Sequence, residues 1–298
     1  MSIETEKFLA MLQQLDLKTE DLTGDGLQKV FDKLTQELNA DPESGNGEPT
    51  VYDYLEKASK ARSKKEKQQY LEKAQELDPK NIDVRRELLF NKKLTPGEEL
   101  KELAKLVDQT TQELEQDGYF TKEYIGEFYG VFETRPYIRL RKTYFDTLYY
   151  AGMLRPAIRE GKEILRLNES DNTGVRFQLI LIYSFLGEEA ALKKLLSKYK
   201  IDGIYEQLSN AVLYYAKGEL DGAAEHIREI YKNVPDAKAF FKDMLYYITS
   251  EDQIEYYQKD DISELIMAGQ ENVRVFLALP DFSSWAAGEC RRKKAEKK

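Results

Sequence analysis

After residue 50 the apolar positions recur at the three- and four-residue spacing that lines one face of an α-helix, and they continue almost to Pro280. Residues 70–81 read YLEKAQELDPKN; Ala74 is small enough to let a neighbouring helix approach, and Pro79, five residues on, stops the helix. Tyr52, Tyr54, Leu55, Ala58 and Ala61 mark its partner upstream. Leu100, Leu103, Leu106, Val107 and Leu114 then form the stripe of one long helix, paired with a shorter one over residues 82–90.

Three similar units follow. Tyr144, Leu148 and Tyr149 precede Gly152, with Ala157, Ile158, Ile164, Leu165 and Leu167 after it. Val175, Leu179, Ile182 and Tyr183 precede Gly187, with Ala190, Ala191, Leu195 and Leu196 after it. Leu208, Ala211, Val212 and Tyr215 precede Gly218, with Ala223, Ala224, Ile227 and Ile230 between it and Pro235. The three glycines stand 35 and 31 residues apart, on either side of the ~34-residue tetratricopeptide period. Glycine suits a helix exit because it takes the left-handed conformation at little cost. The expected fold is all-α: a right-handed superhelical array of antiparallel helix pairs, an α-solenoid over residues 51–285. Phe240, Phe241, Leu245 and Ile248 predict one more helix beyond Pro235, and residues 254–279 one or two others.

Ahead of the array, residues 1–40 predict a small acidic unit of two short helices, with Thr23 to Gly26 as the turn between them. Its eight acids against four lysines would repel phosphate, so it is not expected to read DNA. Residues 41–50, DPESGNGEPT, have the composition of a flexible linker. Residues 286–298 end in RRKKAEKK and are expected to form a basic disordered tail.

Composition removes whole classes of chemistry. The 298 residues carry one cysteine, Cys290, and one histidine, His226. That excludes an internal disulfide, a thiolate zinc cage and every histidine-dependent triad. A net charge of -9 argues against nucleic acid as a partner. No run approaches the ~20 apolar residues of a membrane span, and the acidic start MSIETEKFLAMLQQLD does not resemble a signal peptide, so a cytoplasmic location is expected. There is no phosphate-cradling glycine loop and no GxSxG motif; no cofactor, metal or catalytic residue is expected.

Residues 132–196 support a closer comparison. Glu133, Thr134, Arg135, Pro136, Tyr137, Ile138 and Arg139 open the segment, and Leu165-Arg-Leu-Asn-Glu-Ser-Asp-Asn-Thr-Gly-Val-Arg176 closes its second helix. These residues resemble a widespread family of largely uncharacterised bacterial tetratricopeptide proteins with an E-T-R-P-Y-M-R type opening and an L-R-L-N-P-x-D-N-Q-G-x-R close. They are more distantly similar to the suppression-of-tumorigenicity-7-like proteins. Glu169 stands where the family has proline and Thr173 where it has glutamine. The resemblance covers about 65 residues; it implies a helical-repeat architecture and a protein-binding role, and supplies no reaction.

If the first helix of that segment buries Tyr144 and Leu148, then Arg139, Lys142, Asp146 and Tyr149 lie toward the concave side. Phe177 and Gln178, then Tyr205 and Ser209, extend that surface into the next two units. The predicted groove is basic at one end and aromatic further along, suited to a peptide with an acidic segment. Against this stands the structural reading of the opening motif, in which Arg135 and Arg139 bond carboxylates or helix ends between repeats. Trp285 is expected to pack back on the last helices, and the tyrosines to serve mainly the core. The leading function is a protein- or peptide-binding scaffold. A peptide-responsive regulator and a carboxylate-dependent enzyme are the alternatives.

Overall fold

The computed structural model describes residues 49–250 and 256–295, with side chains to Glu289. The unit expected over residues 1–40, most of the linker and the end of the tail lie outside these. Among the described residues the chain is all-α, with fifteen helices and no strand. None of these helices is long and apolar enough to cross a membrane. The chain divides into two compact units, Met1–Tyr144 and Phe145–Lys298.

In the first unit, α1 (Val51–Ser59) begins with a capping box: the Thr50 hydroxyl accepts from the Asp53 N–H, and the Asp53 carboxylate accepts from the Thr50 N–H. Helix α2 (Lys64–Leu77) packs on α1, and α3 (Ile82–Phe90) packs on α2. Tyr52, Leu55, Ala58, Leu71, Ala74 and Val84 close the small core of these three. Pro79 follows α2, and Ala74 is fully buried, as the spacing predicts. Helix α4 (Pro96–Gln116) carries the predicted stripe inward through Leu103, Leu106, Val107 and Leu114. Residues 117–134 then turn around a cluster of Phe120, Phe128 and Tyr137 rings.

Helix α5 (Arg135–Tyr150) carries the boundary between the units. The second unit continues with α6 (Leu154–Leu167), α7 (Val175–Phe185), α8 (Glu189–Tyr199), α9 (Gly203–Ala216) and α10 (Leu220–Asn233). Helix α7 packs against α6, α8 and α9, and α9 against α10. The exits at Gly152, Gly187 and Gly218 share one geometry. Each glycine has a positive φ, of 76°, 71° and 78°, and donates its N–H three residues back. The next residue donates five residues back: Met153 to Leu148, Glu188 to Tyr183, Glu219 to Tyr214. This is the paired bonding of a Schellman cap. Ala157 and Ala223 are fully buried at the positions where a close approach was expected.

After Pro235 the predicted single helix is two, α11 (Ala237–Lys242) and α12 (Met244–Thr249), broken at Asp243, and Leu245 is exposed where it was expected inside. Helices α13 (Ile262–Glu271) and α14 (Val273–Leu277) precede Pro280, and α15 (Phe282–Ala295) follows it. Trp285 packs against Tyr215 and Phe282. The disordered tail expected from residue 286 begins instead as helix. Ala286 and Glu289 are buried, the Ala286 carbonyl accepts from Tyr231, and the Glu289 carboxylate pairs with Arg228 at 3.0 Å.

Candidate functional site

The opening motif at residues 133–139 works as a brace. The Thr134 hydroxyl donates to the Phe128 carbonyl at 2.7 Å, and Arg135 donates to the Tyr129 and Gly130 carbonyls. Both side chains are buried, and they tie down backbone carbonyls of the turn that leads into α5. Arg139 forms a salt bridge with Asp83 at the start of α3, where Arg86 also reaches the carboxylate. The basic end of the predicted groove is therefore neutralised within the chain. Lys142 is half-buried in the same unit.

In the second unit, Asp146 accepts a hydrogen bond from Gln178 at 3.2 Å, and the Phe177 and Tyr205 rings meet at 4.4 Å between centroids. As an open surface, however, the predicted groove needs correction. Tyr149, Gln178, Tyr205 and Ser209 are buried. The physical reason is α13 and α14, which pack on α7, with α13 also on α9. Tyr205 donates its hydroxyl to Glu271 at 2.8 Å, and burial followed by that carboxylate pushes the phenol well above its usual range. Tyr149 lies against the backbone at Arg274 and Val275, and burial raises its phenol too. Ser209 turns its hydroxyl to the Glu206 carbonyl.

The closing motif, by contrast, builds a site. Asp171 accepts from the Val175 and Arg176 N–H groups at 3.0 and 2.9 Å, which caps α7. It also holds Nη1 of Arg176 at 3.0 Å, and its own carbonyl accepts from the same nitrogen at 3.1 Å. Desolvation pushes the Asp171 carboxyl up, and these bonds oppose it. The guanidinium so fixed lies 4.2 Å from the centre of the Phe177 ring and 5.5 Å from that of Tyr199, within cation–π range. Among the described residues, Nε and Nη2 of Arg176 have no hydrogen-bond partner.

Arg176 lines a cavity of about 210 Å³. Its walls come from three places: the start of α7 (Arg176, Phe177), the α8–α9 turn with Tyr205, and the segment from Tyr257 to Glu264. The volume is roughly that of seven liquid waters. It is smaller than the ~300 Å³ and upward of drug-sized pockets. Three non-glycine residues among those described have a left-handed backbone, Asp171, Lys200 and Asp260. All three serve this cavity. Asp171 anchors Arg176, Lys200 lines the wall, and the Asp260 N–H donates to Oε2 of Glu264 at 2.8 Å. Aspartate tolerates that conformation better than most residues, whereas a lysine there is strained.

Glu264 is 4% exposed, and burial raises its carboxyl above the usual range, against the bond from Asp260. Oε1 of Glu264 has no hydrogen-bond partner among the described residues. Tyr257 is 43% exposed; desolvation, then Glu264 and Glu271, raise its phenol. Lys259 reaches across to Asp202 at 2.8 Å. That pair is exposed on both sides and steadies the wall rather than the fold.

Of the eight predicted residues, only Phe177 and Tyr205 line this cavity. Sequence reading placed Arg176 in a motif without giving it a role, and did not single out Tyr199, Lys200, Lys259 or Glu264. No local signal marked them: Lys200 ends a second helix of its unit, and the corresponding helices α6 and α10 end at Asn168 and Val234 rather than at glycine. Comparison of the chain with protein-family models, curated proteins and solved structures gives no match.

Proposed function

We propose that this chain is a peptide-binding scaffold, a tetratricopeptide-like array of antiparallel helix pairs in a right-handed superhelix. Its relatives on this reading are the E-T-R-P-Y-M-R type proteins that residues 132–196 resemble. The shared geometry of the exits at Gly152, Gly187 and Gly218 supports the repeat assignment. A cytoplasmic setting suits the single cysteine. The observation that carries the function is Arg176, which lines a small aromatic cavity: its guanidinium is fixed by Asp171 over Phe177, with the Nε–Nη2 edge unpaired among the described residues. Such an edge matches the two oxygens of a carboxylate. The surrounding rings offer rigid apolar area at little entropic cost.

The test is an array of short labelled peptides against the full chain, repeated with Tyr257→Ala. Tyr257 is half in solvent, so its loss leaves the fold standing while removing one wall. Captured peptides should bind at least about tenfold more weakly to the variant, as for an aromatic anchor. An array without binders removes the reading, and binders indifferent to Tyr257→Ala remove this cavity as their site.

A further inference from the structure

The cavity holds both signs of charge in unsatisfied form. Arg176, with its Nε–Nη2 edge unpaired among the described residues, lines it, as does Lys200, whose ammonium makes no hydrogen bond or ion pair with any described residue. Glu264 lines it too, almost wholly buried as a residue, with Oε2 taken by the Asp260 N–H and Oε1 unpartnered among the described residues. The Phe177–Tyr205 pair, Tyr199 and Tyr257 add rings to the lining. Oε1 is open to the cavity rather than sealed, so a cationic group entering there completes the carboxylate with a charge-assisted bond. The left-handed Lys200 places a strained backbone in the α8–α9 turn that lines the same cavity.

We propose that this cavity receives the free C-terminal end of a peptide whose last side chain is basic. The α-carboxylate lies on the Arg176 edge and Lys200, and the cationic head of the last side chain meets Oε1 of Glu264. The aliphatic stem runs between the Phe177–Tyr205 pair and Tyr257, as long cationic side chains do against apolar surface. The inference rests on the peptide-binding reading above and narrows it to one kind of peptide end. No bond is made or broken. A free basic amino acid offers the same two charges, and the experiment separates the two sources.

Binding of labelled hexapeptides to the full chain is measured by fluorescence anisotropy. One peptide ends in lysine with a free carboxylate, one in lysine amide, and one in glutamine with a free carboxylate; unlabelled lysine serves as a competitor. The first should bind about tenfold or more tighter than either of the others, as charge-assisted bonds require. Glu264→Gln keeps an acceptor for the Asp260 N–H, and should erase the preference for lysine over glutamine while leaving that for carboxylate over amide. Lys200→Gly should weaken the free-carboxylate peptides several-fold and raise the melting temperature, because glycine takes the left-handed backbone without strain. A loss of binding there cannot be blamed on unfolding. Equal binding of acid and amide overturns the inference and leaves the peptide-binding reading intact. Equal binding of lysine and glutamine ends overturns the role of Glu264. Free lysine competing as strongly as the peptide assigns the cavity to an amino acid and overturns the peptide reading. No binding by any of them overturns both.

Discussion

A β-carbon at Gly269 would lie 2.7 Å from Cγ2 of Ile248 and 3.0 Å from Cζ of Phe240. Neither neighbour has room to retreat, since both are buried. Gly269→Ala should therefore lower stability by about 1–3 kcal/mol, the usual range for overpacking. Gly288→Ala, on α15 with nothing within 4 Å, should raise it by about 0.5–1 kcal/mol. Urea unfolding of the two variants measures both. A second prediction belongs to His226, whose Nδ1 lies 2.8 Å from Oε1 of Gln207 and whose ring stacks on Tyr214. Burial holds this imidazole below its ordinary 6.5. The unfolded chain then binds the proton more readily, so the stabilisation is complete above pH 6.5 and is lost as pH falls through the lowered value. The chain has one histidine, so a proton NMR titration reads it directly. A midpoint at or above 6.5 would contradict the burial. At this scale the sequence made small residues in alanine-bearing helices legible, Ala157 and Ala223 among them. It did not reveal Gly269, because the neighbours that crowd it come from α11 and α12.

Helix exits carry the third prediction. Gly187 and Gly218 have positive φ and almost empty surroundings, whereas a β-carbon at Gly152 would also come within 3.1 Å of Nη2 of Arg274. Alanine at Gly187 or Gly218 should cost about 1–2 kcal/mol, the penalty of a left-handed side chain. Gly152→Ala should cost about the same, because the exposed tip of the Arg274 side chain can swing aside. Equal and negligible losses at all three would mean that the exits are not held as the hydrogen bonds indicate. These exits were legible because they are local: two backbone bonds and a glycine within six residues decide each one. The C-terminal elements were harder to read. From residue 286 the composition is dominated by charge, yet Glu289 is buried by Arg228, 61 residues away, and Ala286 is held by Tyr231, 55 residues away. The periodicity through Leu245 fails for a related reason: the break at Asp243 turns that side chain out.

For the molecule as a whole, helical class followed from periodicity, while the accessible face did not. The predicted groove rests on helices whose pattern is in the sequence. What covers it is residues 262–277, held by bonds such as Tyr205 to Glu271 and Asn272 to the Phe177 carbonyl, spanning 66 and 95 residues. No local pattern encodes such separations. The cover also separates two possible binding surfaces, the face beneath it and the cavity beside it. Asn272 is fully buried; its amide donates to the Ala268 carbonyl at 3.0 Å and to that of Phe177 at 3.5 Å. Asn272→Ala should cost about 1–3 kcal/mol and speed amide hydrogen exchange in α7, α13 and α14 relative to α8 and α10. If the cavity is the site, capture of a free-carboxylate peptide should weaken. Tyr257 and Glu264 are carried by the segment that leads into and begins α13, and a looser α13 no longer holds them opposite Arg176. Capture that strengthens as exchange accelerates would instead move the site beneath the cover, to the face bearing Tyr149, Gln178 and Ser209.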